Sequence, residues 1–310
     1  MVYRPPWWLP EGHSQTILAA RWANKPSVHY HRVRWNTPDG DFIDLDFTEP
    51  PAQAVKHHTL WVLFHGLEGC SRSHYSLAVM NQARMAGAVG VVVHFRGCSG
   101  ENNRMPRAYH SGDHEEIDWL LKRLRDDHLA KGGQVMVAAG VSLGGNALMR
   151  WAAELGNDAL QKADAIASIC SPLDLVQSGH AIGRGLNRQI YTRMFLRSMK
   201  PKAMAKLKQH PGLFDAQKLM AARDLYDFDN VFTAPLHGFK DTDDYWSQAS
   251  AKPLMKNIRL PALALNARND PFVPASSLPK QIEVSKTVTL WQPEEGGHVG
   301  FAQGSWPSHV

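Results

Sequence analysis

Residues 134–146 read Gln134-Val-Met-Val-Ala-Ala-Gly-Val-Ser-Leu-Gly-Gly-Asn146, and Ala147-Leu-Met-Arg-Trp-Ala-Ala-Glu154 follows. An apolar run typical of a buried strand therefore leads into Gly140-x-Ser142-x-Gly144 and then into a helix-like stretch. Strand, sharp turn and helix form the context in which this short pattern becomes a nucleophile elbow. The turn holds its central residue in a strained backbone, and side chains at the glycines would collide with the adjoining strand and helix. The hydroxyl of Ser142 is then lifted clear of the sheet.

Partners for Ser142 follow downstream. Pro261-Ala-Leu-Ala-Leu-Asn266 reads as a strand whose loop carries Asp270, and Thr287-Val-Thr-Leu-Trp291 as a last strand whose loop carries His298 in Gly296-Gly-His-Val-Gly300. Both lie beyond strand C-terminal ends, where parallel sheets gather functional side chains. A serine hydroxyl needs a base to take its proton, which assigns His298 as base and Asp270 as the acid that orients it. Asp174, in Ser171-Pro-Leu-Asp174, follows the preceding sheet strand and is the alternative acid; its other reading is a helix cap. An oxyanion formed at Ser142 needs aimed donors. The backbone N–H groups of Leu143 and of Leu67, in His65-Gly-Leu-Glu-Gly69, are the candidates, with the His65 side chain a structural hydrogen bonder. Arg96-Gly-Cys-Ser-Gly100 lies on the same rim and either contacts substrate or shapes its loop. No His-Glu-x-x-His spacing and no glycine-rich dinucleotide loop occurs, so neither metal nor cofactor is expected.

The wider pattern is that of an α/β protein with a mostly parallel, doubly wound sheet. Ser27–Trp35 and Asp41–Phe47 flank a turn at Thr37-Pro-Asp-Gly40 and predict an antiparallel edge hairpin; alternation of Ile43, Leu45 and Phe47 with Asp44 and Asp46 makes the second strand half-exposed. Thr59–Phe64 and Val89–Phe95 are continuous apolar runs, as in strands covered on both faces. Asp113-His-Glu-Glu116 has the form of a capping box opening a helix. The rhythm stops after Pro172. Residues 175–251 are rich in Met, Lys and Arg and predict a helical cap inserted into a core formed by 1–174 and 252–310, since so long a connection exceeds an ordinary crossover. Within it Ile182, Leu186, Ile190, Met194 and Phe195 recur at near-helical spacing. The plain reading is packing onto the core; the functional one has Met194 and Phe195 lining an apolar acyl tunnel that prefers medium-length chains.

The chain has 310 residues and a formal net charge of +5, its basic residues dispersed. That excludes a recognisable nucleic-acid module and leaves anionic substrates or a transient membrane-surface contact open. Three cysteines without C-x-x-C spacing fit a reducing compartment. No apolar run nears the about 20 residues of a membrane span, and the N-terminal stretch lacks a signal-peptide core, so a cytoplasmic location is expected. Trp7 and Trp8, set among prolines, are read as packed onto the body of the protein rather than resting in a lipid interface.

Together these residues resemble the YheT-like branch of the α/β-hydrolases, AB hydrolase family four. The resemblance is carried by Gly12-His-Ser-Gln-Thr16, His65-Gly-Leu-Glu-Gly69, Arg96-Gly-Cys-Ser-Gly100, Gly140-Val-Ser-Leu-Gly-Gly145, Ala234-Pro-Leu-His-Gly-Phe239, Arg268-Asn-Asp-Pro271 and Gly296-Gly-His-Val-Gly-Phe301. It implies an α/β-hydrolase fold, a carboxylic-ester hydrolase acting on small acyl esters or phospholipids without a cofactor, and Ser142, Asp270 and His298 as nucleophile, acid and base. Acyl transfer to an alcohol by the same residues, or ligand binding without catalysis, are the competing functions. Twelve residues follow His298, fewer than the closing helix that such enzymes often carry.

Overall fold

Alternating apolar runs and helical stretches are realised as one eight-stranded sheet. The computed structural model describes residues 3–49 and 59–304. The strands are β1 Tyr30–Asn36, β2 Phe42–Thr48, β3 Thr59–Phe64, β4 Val89–Val93, β5 Val135–Val141, β6 Ala165–Ile169, β7 Ala262–Leu265 and β8 Val288–Trp291. Their order in the sheet is β1-β2-β4-β3-β5-β6-β7-β8. β1 pairs with β2, and β2 with β4, antiparallel; every other pairing is parallel. β5 is thus central, with its C-terminal end flanked by those of β3 and β6.

Side chains alternate across the strands, so both faces need cover. Val62 and Phe64 of β3, with Val91 and Val93 of β4, join α3 (His114–Ala130) and α4 (Leu143–Leu155) in one core. Leu63 and Val92 point the other way, onto Met80 of α2 (His74–Met85). A further helix, α1 (Gly12–Trp22), precedes the sheet.

Three local expectations are corrected. β2 is not half-exposed: it lies inside the sheet, and Asp44 and Asp46 are buried. The register sets Arg34 opposite Asp44 and Arg32 opposite Asp46, and each arginine forks onto its carboxylate at 2.7–2.8 Å. Alternating acids here meet cations instead of water. At α3 the helix starts as expected, but Asp113 makes no side-chain capping bond. It pairs with Arg107, and Glu116 takes the Arg96 Nε at 2.6 Å. Arg96 also reaches Asp39 and Asp41, which makes its loop a folded, buried-charge element. Trp7, 92% exposed, does not pack, whereas Trp8 is half-buried and Leu9 beside it is buried. No helix follows β8 among the described residues.

Between β6 and β7 the described chain forms no strand. It runs through α5 (Leu175–Ile182), α6 (Gly185–Asn187), a π-turn at Arg188–Thr192, α7 (Arg193–Gln209), α8 (Ala216–Ala221), α9 (Leu225–Val231), α10 (Thr233–Leu236) and α11 (Thr242–Ala249). Asp174, Asp215, Asp224 and Asp241 open α5, α8, α9 and α11 by accepting first-turn amides, the role an N-cap carboxylate fills well. Leu196, Leu219, Phe228 and Phe232 give this segment an apolar cluster of its own.

Candidate active site

Ser142 directly follows β5 with φ 53° and ψ −119°, a conformation costly for a residue with a side chain. Its amide donates to Ile169 O at 2.9 Å, while its carbonyl accepts the amides of Gly145 and Asn146. A Cβ at Gly144 would stand 2.5 Å from the His65 carbonyl oxygen. Only glycine lets the elbow sit this close to β3.

Asp270 and His298 are brought to Ser142. His298 Nδ1 lies 2.8 Å from Asp270 Oδ2, and His298 Nε2 lies 3.0 Å from Ser142 Oγ. A carboxylate only accepts, so Nδ1 carries the proton and Nε2 is left to accept from the serine hydroxyl. The second oxygen of Asp270 takes the Phe272 amide at 2.8 Å, and the Phe272 ring stacks on the imidazole with centroids 4.0 Å apart. Such a chain lets the ring take the hydroxyl proton and keeps the resulting cation beside a buried anion. Asp174 is elsewhere: it caps α5 through the Gln177 amide at 3.1 Å.

The loop after β3 closes against the elbow. A Cβ on Gly66 would meet the Ser142 Cβ at 3.1 Å. The amides of Leu67 and of Leu143, the first residue of α4, have no protein acceptor among the described residues. Next to Leu67, Glu68 adopts φ 57°. Three contacts hold it there: its amide donates to Tyr109 Oη at 3.0 Å, Tyr109 donates back to Oε1 at 3.1 Å, and Lys202 Nζ of α7 lies 2.9 Å from Oε2. His65 is structural. It is fully buried, which pushes its pKa down to about 3; the neutral ring accepts the Phe95 amide at Nε2 and donates from Nδ1 to Gly66 O.

A cavity of about 160 Å³ opens beside Ser142 and His298. Ile182, Phe195, Met199, Leu225 and Phe228, from the helices between β6 and β7, form much of its apolar wall. Phe195 is thus at the cavity. Met194 is not: it is 51% exposed, because adjacent helical residues point about 100° apart. Met199, one turn on from Phe195, is the methionine of α7 at the cavity wall.

A family model described as the alpha/beta hydrolase fold matches residues 61–305. The chain belongs to the α/β-hydrolase family. This hydrolase is 38% identical over 295 residues to YheT of Escherichia coli strain K12, a protein named provisionally as an esterase, across 94% of this chain and 85% of that one. It is 30% identical over 317 residues to phospholipase ABHD3 of Mus musculus, across 99% of this chain and 74% of that one. Among solved structures it resembles the Pyrococcus furiosus esterase Pf2001 in fold, with TM-score 0.55, 15% identity and 89% of each chain covered. It is a YheT-like α/β-hydrolase and a serine ester hydrolase. Among the described residues no helix is long and apolar enough to cross a membrane.

Two contributors to the hydrolase site had no assigned role in the sequence reading. The first is α1. Thr16 Oγ1 accepts the His298 amide at 2.8 Å, and Gln15 Oε1 accepts from both Gly296 N and Asn269 Nδ2. The Gly12–Thr16 motif therefore clamps the loops of Asp270 and His298 together. Its signal was a motif with no visible chemistry of its own. The second is Asn146, whose buried amide bonds Ser111 O, Ala249 O and the Ala251 amide, tying the elbow helix to the point where the chain re-enters the sheet.

Proposed function

We propose that this enzyme hydrolyses carboxylic esters with apolar, medium-length or lipid-like acyl groups through a covalent Ser142 intermediate. The observation that carries the reading is the Ser142–His298–Asp270 chain, at 3.0 and 2.8 Å, opening onto an apolar cavity. In this mechanism Ser142 Oγ attacks the ester carbonyl as its proton passes to His298 Nε2. The oxyanion receives hydrogen bonds from the Leu67 and Leu143 amides, which need no reorganisation to donate. Collapse expels the alcohol, protonated by His298, and leaves an acyl-serine. Water then attacks with His298 as base, releasing the acid and restoring the hydroxyl. Asp270 holds the ring's tautomer and stabilises its cation in both halves.

Residues 175–251 act in this reading as a cap that walls the acyl site, with Phe195 and Met199 among its lining. Relatives named as a phospholipase and, in Saccharomyces cerevisiae, as a monoacylglycerol lipase are consistent with lipid-like esters. The test is labelling by a fluorophosphonate probe, expected for the wild type and lost in Ser142→Ala with the fold retained, together with a p-nitrophenyl ester series. An unlabelled wild type, or near-normal esterase activity in Ser142→Ala, overturns the reading.

A further inference from the structure

The segment spanning α6, the π-turn and the start of α7 presents an outer face that no described residue covers. Leu186, Ile190 and Met194 are 66%, 40% and 51% exposed, while Tyr191, Thr192 and Leu196 are buried. An ordinary surface helix keeps its apolar side chains on the inner face alone. The charge around this face is one-sided. Between Asp174 and Asp215 there is no Asp or Glu, yet four arginines and four lysines occur. Some of these turn inward: Lys202 pairs with Glu68, and Lys206 donates to Asn103 and Met105. Arg184, Arg193 and Arg197 are exposed and have no acidic partner among the described residues. Nearby acids are engaged, Glu11 by the amides of His13 and Ser14, and Asp227 by the Arg223 amide.

We propose that this face docks onto an anionic phospholipid bilayer. Exposed guanidinium groups are drawn to lipid phosphates, and apolar side chains set among them enter the boundary between headgroups and acyl chains. A second copy of the chain is a poorer occupant, because a two-fold contact would oppose like charges. The placement joins the two faces of one helical turn: Met194 points out to the bilayer while Phe195 lines the cavity beside Ser142. The proposal does not depend on the identity of the ester.

The experiment is co-sedimentation of the full chain with phosphatidylcholine vesicles, with and without phosphatidylglycerol. Binding is expected only to the anionic vesicles and is expected to weaken with salt. The pair Arg193→Glu and Arg197→Glu, and separately the pair Leu186→Glu and Ile190→Glu, should each lower vesicle partitioning at least about tenfold. Hydrolysis of a soluble short-chain ester should stay at the wild-type level, which also reports that both variants fold. The proposal is overturned if the wild type stays in the supernatant with anionic vesicles, or if both variant pairs bind as the wild type does. Self-association lost in the variants, with no vesicle binding by the wild type, would assign the face to a second copy instead.

Discussion

Lys202 and Glu68 join two parts of the chain at 2.9 Å: the first belongs to α7, the second to the loop whose Leu67 amide faces the elbow. Glu68 sits at φ 57°, a conformation that costs on the order of 1 kcal/mol and persists only when its surroundings hold it. The ion pair and the double contact with Tyr109 supply that hold. Lys202→Met and Glu68→Gln should therefore lower kcat about tenfold, less than the loss of an oxyanion donor outright, with KM changed little. Lys202→Arg should recover part of the rate. Steady-state kinetics on one soluble ester decide it; equal loss in Lys202→Arg and Lys202→Met would show that charge at this position is irrelevant.

The two acids weighed from sequence separate cleanly in space, and their variants should do so in kinetics. Asp270→Asn offers His298 Nδ1 a donor, favouring the tautomer in which Nε2 can no longer accept from Ser142. Turnover should fall by about 10⁴ with the fold intact. Asp174→Ala removes the α5 cap, expected to cost about 1 kcal/mol of stability, and should leave turnover within a few-fold. The opposite ranking would move the acid to the Asp174 loop.

Neighbouring residues on α7 give a sharper test of the cap. Phe195→Lys puts a charge into the apolar cavity and should abolish any preference for longer acyl chains, leaving acetate esters hydrolysed. Met194→Lys faces solvent and should leave the chain-length profile as it was. Initial rates across a series from acetate to decanoate measure both; an unchanged profile in Phe195→Lys would detach the cavity from specificity.

Acid stability should be governed in part by Asp46. Burial alone would raise its pKa, but Arg32, His94 and Ser71, each donating to it at 2.6–2.8 Å, outweigh that and hold the carboxyl far below its ordinary value. The folded state keeps Asp46 ionised where the unfolded chain takes up a proton. Its stabilisation is therefore complete above the unfolded value of about 4 and shrinks as pH falls below it. Asp46→Asn should be less stable by about 3 kcal/mol at pH 7, since it leaves buried donors unmatched. Urea unfolding between pH 7 and pH 3 should show that gap narrowing in acid.

Legibility tracked how local each physical cause was. The elbow could be read because a strand, two glycines and a helix are neighbours in sequence, and Asp270 and His298 because each follows a strand with its own apolar run. The burial of Asp44 and Asp46 could not, because polar alternation looks the same whether the acids meet water or the arginines of the neighbouring strand. Asp113 and Glu116 had the spacing of a cap, yet Arg107 and Arg96, from the connection between β4 and α3 that runs into the helix, claimed them. Thr16 and Gln15 were silent because their partners lie at the far end of the sequence.

That distance has a consequence for synthesis. The hydrogen bonds from His298 to Thr16 and from Gly296 to Gln15 join residues 282 and 281 positions apart. A chain emerging from the ribosome can build β3, β5 and the elbow while the base is still untranslated. Closing so long a loop adds little entropy beyond that of a loop half its length, but it must wait for the last strand. The elbow can therefore form before the residue proposed as its base has been made. On the proposed mechanism the serine lacks that base until the two remote segments of the polypeptide meet, so a nascent chain would pass through synthesis without a functioning nucleophile.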